Sequence, residues 1–391
     1  MLKVEHITEE EKSKIRELKS VIDHELTPDL VEDKSLYYRF LKARDFNLKH
    51  AEALLRKHLS DRKTYLGENF KDYYPPEYIK EYLPLSFVCF DKEGSVVLYL
   101  DLGRTDPRGL LSLFTFKQLV QFVAFNLEEN FRLMTKESIR RGKSVTKFCI
   151  ILDMDKLNLF NATFKKGIET LINGFQLYQD NYPERMKSVY IINASFYFYL
   201  GYPLIKAILA SVLLQKIHIF GKDGWKEVLQ ENIDGEVLPA FLGGNRSDPD
   251  GNPWCTSFLV FGKKVPEELY SKKKKSIVSE KGVKKLTINR FSSSEIMLHI
   301  YEENTCIEWE FETKVKDIGF GLYYKDSSKE NSRIEELIPK QRIDTMLSSE
   351  AGVYSCNRIG TYIIVFDNSY SWIYSKELYY RIRLKKPKMI N

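Results

Sequence analysis

The chain has little of what most enzyme classes need. Its five cysteines (Cys89, Cys149, Cys255, Cys306, Cys356) are odd in number and widely spaced, so no CxxC metal or redox pair exists. This usage fits a reducing compartment. Cys149, inside the run FCIIL, reads as a small buried hydrophobe. The first thirty residues mix acids and bases without an apolar core, which is expected of neither a signal nor a transit peptide. No Walker loop, GxSxG elbow, HExxH or Cys-x5-Arg string occurs, and the six histidines are scattered without an i,i+4 His pair. Gly319-x-Gly321 lacks a third glycine and lies in an alternating strand pattern, so it is no dinucleotide loop. No internal repeat is evident.

Charge is unevenly placed. The formal net charge is +6, and the segment from Gly262 to Lys285, with nine Lys and three Glu, carries all of it. Such a run is either a solvated linker or an attraction to anionic headgroups, at about 1 kcal/mol per Lys near a charged leaflet. Lys272, Lys273, Lys274 and Lys275 are its densest part. Without an interleaved aromatic platform, nucleic acid is not expected as a partner.

Three periodicities divide the 391 residues, in accord with two or three domains. From Thr8 to about Tyr82, Leu36, Phe40 and Leu41, then Leu48, Ala51, Leu54, Leu55 and Leu59, recur at helical spacing, with Asn47 as N-cap between two helices. From Ser86 to about Phe241, the apolar runs SFVCF, VVLYL, FCIIL, SVYII and KIHIF alternate with helical stretches, and Phe116, Leu119, Val120, Val123, Leu127, Phe131 and Met134 form one stripe. Near-continuous apolar strands suit a mainly parallel α/β sheet covered on both faces. Beyond the lysines, KLTINR, EIMLHIY, CIEWEF, GFGLYY, TYIIVF and LYYRIRL alternate polar with apolar, with FDNSYS and SSEAG as turns. That pattern predicts an antiparallel β-sandwich. The expected boundaries are 1–80 helical cap, 81–250 α/β domain, 251–285 linker and 286–385 sandwich.

SFYFYLGYPLIKAILASVLL, residues 195–214, is the most lipophilic stretch. Lys206 near its centre and the breaker Gly201-Tyr202-Pro203 argue against a membrane span, and Pro203 reads as a first-turn residue of a helix over about 203–213. With little polar face, that helix is either core or a lid over an apolar pocket. Asp153 and Asp155 follow FCIIL, where an open parallel sheet places its ligand crevice, and carry either a catalytic or a turn role.

The strings LYYRFLKARDFNLKHAEALLRKHLSDRK, DKEGSVVLYLDLG, IILDMDKL, YPERMKSVYIINA, QKIHIFG and LPAFLGGNRSDPDGNP resemble the CRAL-TRIO lipid-transfer family over nearly all of residues 1–254. CIEWEF, DIGFGLYY and GTYIIVFDNSYSWIYSKELYYRI look like the GOLD β-sandwich. The resemblance implies a helical cap, an α/β cup whose sheet floors a lipid pocket, and a gate helix over 198–213. It implies pocket residues Phe87, Leu98, Leu100, Phe122, Ile150, Leu152 and Ile191, and gate residues Phe198, Leu204, Ile205, Ile208, Leu209 and Val212. By motif, a phosphatidylinositol headgroup would meet Arg44, Glu184 and Lys216, although Asp45 stands where family members have a second base. At the phosphatidylcholine positions Phe87, Leu98 and Asn158 are more apolar than the family pattern, which favours an isoprenoid such as tocopherol or squalene. The expectation is a cytoplasmic, transiently membrane-associated carrier or sensor, not an enzyme and without cofactor. The alternative is a lipid-sensing scaffold whose GOLD domain recruits a protein.

Overall fold

The computed structural model describes residues 7–31, 33–66, 73–269, 276–314, 317–326, 333–345 and 349–386. Lys272 to Lys275 lie outside them. Two compact units emerge: the described parts of Met1–Leu157, Thr170–Phe196 and Lys206–Glu268 form the first, and those of Asn158–Glu169, Tyr197–Ile205 and Leu269–Asn391 the second.

The cap of the first unit includes the helices α1 (Glu9–Ile22), α2 (Leu36–Lys42) and α3 (Leu48–Asp61), with a single helical turn, Pro28–Val31, between the first two. Thr8 and Glu11 start α1 with a reciprocal capping box, and the Asn47 side chain accepts from the His50 N–H to start α3. Leu18, Ile22, Phe40, Leu41 and Leu55, all fully buried, form the cap's own core.

The expected strands then appear: β1 (Leu85–Phe90), β2 (Val96–Asp101), β3 (Phe148–Asp153), β4 (Met186–Ile192) and β5 (Ile217–Ile219). They lie in sequence order in one sheet, β1 antiparallel and the rest parallel. Between β2 and β3 runs α4 (Phe116–Arg141), begun by a Thr115–Gln118 capping box and ended by Gly142 in the left-handed region, φ 66°. Helix α5 (Lys165–Asn181) crosses from β3 to β4. Two right-handed crossovers through neighbouring parallel strands put α4 and α5 on the same side of the sheet.

Residues 195–214 depart from the expected helix. The chain makes α6 (Phe196–Lys206), with Pro203 inside its last turn, and then a separate short α7 (Ser211–Leu214). Gly201 does not break α6. A Cβ there would sit 2.7 Å from the Ala162 carbonyl oxygen, so the glycine serves close approach. Pro203 lacks the N–H for the next helical bond, and the helix stops three residues later. Among the described residues no single helix is long and apolar enough to cross a membrane.

The opposite side of the sheet is covered by α8 (Trp225–Asn232) and by the chain that follows. Part of the expected linker is included, since Cys255 and Leu259 join the core on that face and the Gly262 N–H reaches Asp101 Oδ2 at 3.0 Å.

In the second unit β6 (Lys284–Ile288), β7 (Ser293–Ile300), β8 (Thr305–Thr313), β9 (Asp317–Lys325), β10 (Glu335–Asp344), β11 (Glu350–Cys356), β12 (Gly360–Asp367) and β13 (Lys376–Lys385) form two antiparallel sheets, β10-β9-β12-β7 and β11-β8-β13-β6. Trp309, Phe311, Phe320, Tyr362 and Phe366 fill the space between them, and Leu159 and Leu200 belong to the same cluster. β10 and β11 were not expected. Pro339 marks β10 as an edge strand with a register shift. In SSEAG, read as a turn, Glu350 to Gly352 are strand, and Gly352 is required because a Cβ would strike the Trp309 ring at 2.3 Å.

Candidate functional site

The five-stranded sheet has two unlike faces. Register places Val97, Tyr99, Cys149, Ile151 and Tyr190 on one side, where Trp225, Leu229, Ile233, Leu238 and Leu242 bury them. Ile151 is wholly inaccessible. Register places Phe87, Leu98, Leu100, Ile150, Leu152 and Ile191 together on the other side. Leu98, Leu152 and Ile191 are buried there, but Leu100 and Ile150 remain partly exposed. Both lie on inner strands, and Ile150 is on the central one. An inner-strand aliphatic residue is exposed only when the layer above it leaves room.

Leu100 and Ile150 border neither of two clefts in this unit. A cleft of about 230 Å³ is lined by Leu85, Phe87, Phe122, Phe125, Phe258 and Val260, so it includes two of the expected pocket residues. It is below the size of a typical ligand pocket. A larger cleft, about 1330 Å³, lies elsewhere in the unit and is lined by charges of both signs, among them Asp33, Arg39, Arg62, Glu128 and Arg185. Its chemistry is that of the joint between cap and cup rather than of a lipid chain.

The expected gate residues divide between the units, Phe198, Leu204 and Ile205 in the second and Ile208, Leu209 and Val212 in the first. Phe198 and Leu209 are buried, Leu204, Ile205 and Ile208 half-buried, and Val212 is exposed along with Phe196 and Tyr199. The Ala210 N–H donates to Gln179 Oε1 at 2.8 Å, fixing the turn between α6 and α7 to α5.

The expected headgroup residues are brought together only in part. Glu184 sits at φ 60°, a strained position for a residue with a side chain, and its Oε2 is 3.9 Å from Lys42 Nζ. Burial lowers the Lys216 pKa, Glu184 opposes that shift, and Lys147 and Lys42 add to it, so all four share one field. Arg44 instead donates to the Ala43 carbonyl at 2.8 Å. Lys42 and Lys147 escaped sequence reading, although Lys42, two residues before Arg44 in the last turn of α2, carried a signal.

Asp153 is held rather than poised. Tyr99 Oη donates to its Oδ2 at 2.9 Å, and Asn193 Nδ2 and the Asp155 N–H donate to its Oδ1 at 2.8 and 2.9 Å. Asp155 pairs with Arg104, which also contacts the fully buried Asp101. Burial pushes the Cys89, Cys149 and Cys356 thiols up to about 12, far from the thiolate a nucleophile needs.

Comparison with known proteins fits this geometry. Residues 80–244 match the family model described as CRAL/TRIO domain. Most of that match lies in the first unit. Residues 325–385 match the model described as Golgi-dynamics membrane-trafficking, within the sandwich. Protein ctg-1 of Caenorhabditis elegans is 24% identical over 377 residues, covering 96% of this chain and 96% of its own. Protein real-time of Aedes aegypti is 25% identical over 336 residues, or 82% of this chain, which spans 50% of that protein. The crystal structure of Sfh5 superposes with a TM-score of 0.50 at 17% identity, covering 67% of this chain and 94% of its own, and shares the fold of the CRAL/TRIO domain.

Proposed function

We propose that the chain is a lipid carrier or sensor, not an enzyme, that takes one hydrophobic lipid against the partly exposed face of its CRAL/TRIO sheet. The observation that carries this is Ile150, partly exposed at the centre of the sheet while Cys149 and Ile151 beside it are sealed. Acyl or isoprenoid chain would complete that face. The CRAL/TRIO match supports a lipid ligand, and the wall of Phe87, Leu98, Leu100, Ile150, Leu152 and Ile191 supports an apolar one.

Burial is worth about 0.8 kcal/mol per methylene, so a lipid of about 25 methylenes gains about 20 kcal/mol against water. A bilayer offers nearly the same. Protein and membrane therefore compete on even terms, and what the protein must supply is an apolar path. Residues 206–214, which lie in the same unit as the sheet and leave Val212 exposed, supply it as a gate. Lys42, Lys147 and Lys216 around Glu184 suit a phosphate beside hydroxyls, should the lipid have a headgroup.

Native mass spectrometry of the purified chain, followed by transfer between vesicles, tests the reading. A stoichiometric lipid that exchanges is expected. If none co-purifies and none exchanges, the reading fails.

A further inference from the structure

At one end of the sandwich two loops meet, 289–292 between β6 and β7 and 368–375 between β12 and β13. Asn368 is fully buried between them. Its side-chain amide donates to the carbonyls of Ile288 (3.1 Å), Asn289 (3.3 Å) and Tyr374 (3.0 Å), while its own N–H donates to the Ser292 carbonyl (2.8 Å). Ser375 Oγ donates to Asn289 Oδ1 at 3.2 Å, and Ser371 Oγ to the Tyr374 carbonyl at 3.0 Å. These hydrogen bonds join the two loops into one tip.

The tip presents apolar side chains to solvent. Trp372 is 77% exposed, Tyr374 70%, Ile373 69% and Phe291 54%. The Trp372 and Phe291 rings meet edge-on at 5.6 Å. Phe291 has φ 59°, a left-handed conformation uncommon for an aromatic residue and of the kind that persists where surrounding structure imposes it, often at functional sites. Four large exposed apolar side chains on two hydrogen-bonded loops, two of them in ring contact, form a patch that calls for a partner.

The shape and chemistry favour a lipid surface over a protein. The tip is a pair of loops joined over buried Asn368, with its aromatic side chains more than half exposed. Trp and Tyr, with an apolar body and a polar handle, are the residues that settle at the headgroup level of a bilayer. Exposed Arg290 lies beside the Phe291 ring at 5.9 Å. Acids at this end are neutralised: Asp317 by Lys376 at 2.7 Å and by Arg342, and Glu377 by Lys285 at 2.6 Å and Lys314 at 3.4 Å. With these acids paired and Arg290 exposed, an anionic leaflet is not repelled at the tip. We propose that Phe291, Trp372, Ile373 and Tyr374 form a membrane anchor that inserts into the interface of an anionic phospholipid bilayer. It acts apart from any lipid held by the sheet.

The test uses the full chain and vesicles of phosphatidylcholine with phosphatidylserine. The double variant Trp372→Ser, Ile373→Ser should partition onto them about tenfold or more weakly, with its thermal unfolding unchanged because both side chains face water. In a Trp254→Phe background, where Trp225 and Trp309 are buried, vesicles should shift Trp372 emission to the blue, and brominated acyl chains should quench it. Equal partitioning of the variant, failure of the parent chain to bind vesicles, or burial of Trp372 only on addition of a second protein overturns the proposal. Lipid content by mass spectrometry separates the two readings. A chain that carries no lipid yet inserts Trp372 loses the carrier role and keeps the anchor; a loaded chain whose Trp372 stays in water does the reverse.

Discussion

The two faces of the five-stranded sheet are made by alternate residues of the same strands, and the more aliphatic of the two is the one left partly open. Tyr99 and Ile151 are at 0% exposure, while Leu100 and Ile150, one residue further or earlier along the same strands, still meet solvent. Apolarity alone therefore does not decide burial. The difference lies in the second layer: α8 and residues 233–259 interlock with the solid face, whereas α4 and α5 touch the sheet through rings such as Phe122 and Tyr178 and are also tied to the cap through Glu128, Asp180 and Asn181.

The largest test of this contrast is to cut the same methylenes from each side. Ile151→Ala should cost about 2 to 5 kcal/mol, because a sealed site cannot collapse around the void. Ile150→Ala should cost clearly less, since its side chain already borders open space, and it should lower the amount of lipid that co-purifies. Denaturant unfolding of both variants checks the order. Equal losses would show that the two faces are packed alike, and the carrier reading would lose its main support.

Asp153 closes the polar end of the solid face and offers a middle-sized test. Asp153→Asn keeps one acceptor but sets an NH₂ against groups that donate to it, Tyr99 Oη, Asn193 Nδ2 and the Asp155 N–H. A loss of about 1 to 3 kcal/mol is expected, with lipid content unchanged once stability is restored by lower temperature. A variant of full stability that had lost a chemical turnover would instead make Asp153 catalytic.

Much of this contrast was legible before the structure. Strand identity and facing followed from the apolar runs, since alternation along a strand puts Leu98, Ile150 and Ile191 on one side whatever covers them. Openness was not legible, because it depends on how a later helix seats, which no local pattern encodes. The same limit explains α6, where Gly201 reads as a breaker locally but is dictated by the Ala162 carbonyl. It also explains Lys147, far in sequence from Lys42 and Glu184 and joined to them only by the fold. β10 was hidden by Pro339 and its charged residues, and β11 by glycine and glutamate that look like a turn until Trp309 is seen against Gly352.

A pH-dependent test concerns what holds the helices above the open face. His58 on α3 is buried against the Phe40 ring, and its Nδ1 lies 2.8 Å from Asn181 Oδ1 at the end of α5, while Arg62 reaches Glu128 on α4 at 3.1 Å. Burial lowers the His58 pKa to about 3, with Arg62 and Arg39 adding to the shift and the Asn181 hydrogen bond opposing it. In the unfolded chain the imidazole takes up a proton near pH 6.5, so below that pH the unfolded state binds more protons than the folded one. This group's contribution to stability is therefore constant above about pH 6.5 and is lost by about 1.4 kcal/mol per pH unit as acidity rises, until the folded-state group itself titrates at about 3. His58→Gln, which keeps an amide donor for Asn181, should remove that slope between pH 6.5 and 5 while leaving the Ile151→Ala loss untouched. Unfolding free energies measured across the interval decide it. An unchanged slope would mean that the cap joins α5 through its ion pairs, Lys57 with Asp180 foremost, and that protonation of this imidazole does not loosen the layer over the open face.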